Sequence, residues 1–142
     1  MGALAAAMAL ACFGSSNASG TALVQQKNGS VKIYRDVLIE IRNAEMFITT
    51  ADGVGTLVIG KAACIKVGEL VKCLPYDATL YQNGWKDHVK IQSGTVWFNP
   101  SATAQPLSHS SASLPAHGVM MSITTKAGTY VSLTGTVDRM QK

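Results

Sequence analysis

The sequence predicts an all-β protein: a single antiparallel β-sandwich or jelly-roll-like domain of about nine short strands. An open, elongated sheet is the alternative. Three observations carry this expectation. Apolar residues recur with a period of two rather than 3.6, and turn signals interrupt the apolar segments at short intervals. Two cysteines, Cys64 and Cys73, fall opposite each other when the segment between them is folded as a hairpin. No stretch shows the periodicity of an amphipathic helix.

The first element is not part of the fold. Met1 to Phe13 is nearly all Ala, Leu and Met without a charge, and Gly14-Ser15-Ser16-Asn17-Ala18-Ser19 follows. This pattern reads as the h-region and small-residue cleavage site of a signal peptide, too short for a span of ~20 residues. Residues 1–18 are assigned to it, with cleavage after Ala18, although a basic n-region is lacking. Cys12 leaves with the peptide; acylation of Cys12 is disfavoured because Ala9 replaces the large aliphatic residue expected upstream of a lipidated cysteine. Residues 19–142 are read as one domain, exported and not membrane-spanning after cleavage.

Val31, Ile33, Val37, Ile39 and Ile41 share one parity. Arg35 breaks that apolar face, which predicts a bulge near Arg35-Asp36. Ala44, Met46 and Ile48 continue toward a turn at Ala51-Asp52-Gly53, and Thr56 to Ile59 is a continuous apolar run suited to a covered strand. Folding about Gly68-Glu69 then pairs Val67 with Leu70, Lys66 with Val71, Ile65 with Lys72 and Cys64 with Cys73. The last pair falls on a non-hydrogen-bonded site, where Cα atoms approach to about 4.5 Å, within disulfide reach. A cross-strand bridge implies an oxidising compartment, hence a periplasmic or secreted location.

Two more hairpins register from their turns. Asn83-Gly84 is a strong signal for a type I′ turn and sets Gln82 against Trp85, Tyr81 against Lys86, Leu80 against Asp87 and Thr79 against His88. Lys126-Ala127-Gly128 forms a three-residue loop that sets Ile123 against Val131, Met121 against Leu133 and Val119 against Gly135. One face of that hairpin is apolar throughout, so register and burial agree. Thr95 to Phe98 adds a strand, and residues 99–118 form a Ser/Pro-rich loop or crossover.

Composition excludes some functions. Charged residues are only 14% of the chain and apolar ones 47%, which favours a packed fold over disorder. The net charge of +4 comes from lysines and arginines that never form a run, so no nucleic-acid footprint is expected. No metal site is expected, since His109 and His117 lack zinc-ligand spacing and both cysteines serve the bridge. No catalytic residue is assigned: in Ser108-His109-Ser110, neighbours on an extended chain point apart and no acid lies between Asp87 and Asp138. The glycines lack the setting of a phosphate-binding loop, and no cofactor is implied.

Trp85, with Tyr81, His88 and Asp87, is the candidate ligand-binding set, a surface aromatic group suited to stacking on a sugar or anchoring a protein. The expected function is therefore a non-enzymatic exported module that is structural or binds an envelope protein or glycan. The first alternative is a carrier of lipid or another apolar ligand in a cleft between sheets. The second is a small secreted hydrolase, which requires a histidine beside an acid in a concave site.

Overall fold

The computed structural model describes residues 20–60, 62–107 and 112–141. The signal-peptide assignment, Cys12 and the Ser108-His109-Ser110 segment lie outside these residues. In chain order the first strands are β1 (Gly20–Gln25), β2 (Val31–Arg42), β3 (Glu45–Thr49), β4 (Gly55–Ile59), β5 (Ala63–Val67) and β6 (Leu70–Leu74). There follow β7 (Asp77–Gln82), β8 (Trp85–Phe98), β9 (Gln105–Pro106), β10 (Ser113–Leu114), β11 (Gly118–Thr125), β12 (Tyr130–Thr136) and β13 (Arg139–Gln141). No helix is present among the described residues.

The three hairpins deduced from their turns have the deduced registers. Asn83 and Gly84 both take positive φ, 50° and 82°, as a type I′ turn requires. Gly68 is positive at 64°, and Cys64 and Cys73 are bridged with Cα atoms 4.1 Å apart. One further tight turn carries no glycine: Asn43 and Ala44 adopt φ of 52° and 66° and join β2 to β3.

The sheet does not split into the two stacked layers of a sandwich. It closes as an eight-stranded barrel in the order β1-β2-β3-β4-β7-β8-β11-β12, with β12 returning to β1. Closure depends on three pairings between distant segments. β4 pairs with β7 across the stapled hairpin, β8 pairs with β11 across the 99–117 segment, and β12 pairs with β1. A closed sheet removes the edges that a sandwich must protect. The two segments expected as separate strands at Trp85 and Thr95 are one strand, β8, bent where its register with β11 shifts between Ser93 and Ile91.

The bulge expected in β2 is present, with Asp36 at φ 60° and a register shift opposite β1. Its consequence differs from the simple parity reading. The extra residue flips the alternation, so Val31 and Ile33 stand outside the barrel, 52% and 49% exposed, while Tyr34 packs against the core. Below the bulge, Val37 and Ile39 are buried as expected.

The far half of the barrel is filled by Ile39, Met46, Ile59, Val96, Phe98 and Val119. At that end Asn99 ties residue 103 to residues 114 and 115: its amide donates to the carbonyls of Thr103, Leu114 and Pro115 at 2.9, 3.2 and 2.9 Å. Asp138 closes the same end by exchanging hydrogen bonds with Ile39: the Ile39 amide donates to Asp138 Oδ2 at 3.0 Å, and the Asp138 amide donates to the Ile39 carbonyl at 2.8 Å.

The stapled hairpin is a flap on this barrel, not one of its staves. β6 pairs with β8 through only Val71, Lys72 and Cys73, and β5 pairs with β6 alone. Loop closure over about ten residues limits the staple to roughly 2.7 kcal/mol, and the flap is peripheral. The double variant Cys64→Ser, Cys73→Ser should therefore keep the barrel with a modest fall in Tm. Hydrogen exchange should quicken chiefly over residues 63–67; global loss of protection would show instead that the flap is integral to the barrel.

Candidate functional site

The site begins with which inward positions are small. Along the half of the barrel opposite Asn99, the strands turn Ala22 and Val24 (β1), Gly55 (β4), Thr125 (β11) and Thr50, just after β3, toward the interior. An eight-stranded ring holds just enough space for side chains or one small ligand. These short residues leave it unfilled. The result is a cavity of about 860 Å³, within the size range of small-molecule sites.

Its floor is the buried set Val37, Ile48, Met121, Ile123 and Leu133. Higher up, Tyr34, Leu80 and Val89 form the wall. The mouth is built from four alternate hairpin connections, which an up-and-down barrel places at one end: residues 26–30, 50–54, 83–84 and 126–128. They are tied to one another. Thr129 Oγ1 donates to Gln26 Oε1 at 3.1 Å, the Asn83 amide donates to the Val54 carbonyl at 3.4 Å, and the Lys126 amide donates to the Lys90 carbonyl at 2.9 Å.

Charged groups are confined to the rim, while Tyr34, Thr50 and Thr125 are the polar residues nearer the interior. Asp52 orders the 50–54 connection, accepting from Thr50 Oγ1 at 2.6 Å and from the Val54 amide at 3.0 Å. Those two hydrogen bonds, the hydroxyl first, hold its carboxyl below the usual carboxylate range, with a minor contribution from the Lys32 charge. Lys32 Nζ lies 5.1 Å from the centre of the Tyr34 ring, a cation–π distance. Lys90 pairs with Asp77 at 2.8 Å.

The four residues singled out from sequence all lie on the β7–β8 hairpin, but the register divides them. Trp85 and Asp87 alternate toward the cavity side, opposite Gln82 and Leu80; Tyr81 and His88 take the other face. Trp85 is 73% exposed at the tip and Tyr81 is 42% exposed, with Lys86 Nζ 6.0 Å from its ring centre. Trp85 and Tyr81 are therefore not one stacking platform. Asp87 lines the mouth of the cavity, and His88 borders it from the outer face of the hairpin.

The cavity itself was missed by sequence reasoning, which placed an apolar cleft between two sheets. The signal available was the run of small inward residues, but it has meaning only once β1 is recognised as a stave. Among the described residues, no group of three or more His, Cys, Asp or Glu side chains converges as a metal site. His88 and His117 stand at opposite ends of the barrel, His117 being held by Ser101 and Val137 through backbone hydrogen bonds of 3.2 and 2.9 Å. Comparison of the chain with family models, curated proteins and solved structures finds no match.

Proposed function

We propose that this protein is a non-enzymatic, exported binding protein that holds a small apolar or amphipathic molecule in the barrel. The cavity carries the reading: an apolar floor without ionisable groups, and charged side chains only at the mouth. Such a shape favours a ligand that buries a hydrocarbon part and leaves its polar end at the rim, where exposed hydroxyls and amides satisfy it. This is the carrier function that the sequence left as an alternative, with the barrel interior in place of a cleft between sheets. Export rests on the Cys64–Cys73 bridge and on the leader-like first 18 residues.

Titration with the apolar fluorophore N-phenyl-1-naphthylamine tests this reading. Saturable binding at one site is expected. Leu57→Trp and Leu80→Trp, on partly buried wall positions, should weaken it at least about tenfold, which corresponds to ~1.4 kcal/mol, with little change in Tm. Absence of saturable binding to the parent protein, or undiminished binding in both variants, would remove the cavity as the binding site.

A further inference from the structure

The outer edge of the mouth carries a second feature, distinct from the cavity within. Val31, Val54 and Trp85 stand at the ends of three different connections around it, 52%, 46% and 73% exposed. Each would bury apolar surface on contact with a partner. Interleaved with them are exposed cationic side chains. Lys32 and Lys126 line the mouth, Lys27 packs along Gly128 of the neighbouring connection, and Lys86 sits beside Tyr81. With Lys90 neutralised by Asp77, these four lysines face Asp52 and Asp87, leaving 4 − 2 = +2 at this end.

Protruding tryptophan and valine tips ringed by lysine match the chemistry of a membrane interface. An indole ring settles at headgroup depth, short apolar tips enter the acyl boundary, and lysines are drawn to anionic headgroups. We infer that the mouth end of the barrel docks reversibly on an anionic lipid bilayer, facing the cavity toward the lipid. This goes beyond the proposed ligand binding, because the docking surface is the rim and needs no occupant in the cavity.

The experiment is co-sedimentation of the full chain with vesicles of phosphatidylcholine, with and without one-third phosphatidylglycerol. Binding is expected to the phosphatidylglycerol vesicles and to fall steeply as salt is raised from 0.05 to 0.5 M. Lys32→Gln and Lys126→Gln should each weaken partitioning about fivefold, and Trp85→Ala should weaken it further. In a Trp97→Phe background, the emission of Trp85 should shift to the blue on binding. Ile65→Asp, on the flap at the other end, should have no effect. Equal Tm values for the exposed-site variants establish that each remains folded.

No binding to anionic vesicles overturns the inference. So does binding that the rim variants leave unchanged, or that Ile65→Asp abolishes. Docking without N-phenyl-1-naphthylamine binding would separate the rim from the cavity and refute only the proposed carrier function.

Discussion

Gly94→Ala should lower Tm by more than about 10 °C, the equivalent of roughly 3 kcal/mol for a domain of this size. Gly94 sits at φ 146° on β8, directly opposite Ile123 of β11. A methyl group there would collide with the Ser122 carbonyl oxygen and lie 2.6 Å from Ile123 Cα and 2.7 Å from Ile123 Cγ2. Two of those atoms are backbone of the facing strand, and Ile123 is fully buried, so neither side can yield without opening the β8–β11 seam. Gly29→Ala is the matched control: its φ is 93°, but nothing lies within 4 Å of an added Cβ. Its cost is limited to backbone strain of about 1 to 2 kcal/mol. Urea unfolding of both variants checks the comparison; similar losses would mean that β8 shifts freely past β11.

Asn99→Ala should cost about 3 to 5 kcal/mol. The side chain is fully buried, and its two amide hydrogens are shared among three backbone carbonyls while Oδ1 accepts from the Ser101 amide at 3.0 Å. Truncation strands several backbone groups, each penalised by about 1 to 3 kcal/mol where water cannot replace the partner. Asn99→Asp is the sharper variant, because a carboxylate would face carbonyl oxygens. Burial and those oxygens raise its pKa in the folded state, so its stability should increase as pH falls toward protonation. Thermal melts at pH 4 and pH 7 read this difference. A variant whose stability is the same at both values would show that residue 99 is not held against those carbonyls.

These two residues also show where the sequence was readable. Local pairings were: each hairpin's turn chemistry fixes its register, which is why the Cys64–Cys73 bridge and the contacts around Asn83-Gly84 and Gly128 were accessible from spacing alone. Non-local pairings were not. Nothing in Gly94 or Ile123 announces that β8 and β11 are neighbours across the 99–117 segment. The Asn43-Ala44 turn passed unnoticed because alanine gives no sign of a positive φ. β1 was overlooked because it is short and turns small residues inward, and without it an open sheet or sandwich is the natural reading.

The candidate site was legible only in part for the same reason. Trp85, Tyr81, Asp87 and His88 do gather on one hairpin, but its two faces separate them. The cavity beside them arises from eight strands acting together, so no local motif encodes it. Asn99 was seen as the start of a serine- and proline-rich connection, and its role as the organiser of that connection depends on partners up to 16 residues away.

The seam between β12 and β1 has a kinetic consequence. Residues 20–25 lie against residues 130–135, so the last stave to join is brought in by a contact spanning almost the whole described chain. Ordering such a long intervening segment before its contacts form slows folding. The hairpins can assemble early and independently, but the barrel has exposed strand edges until its two ends meet. Folding should thus be slow relative to hairpin formation, and closure should be its final, cooperative event.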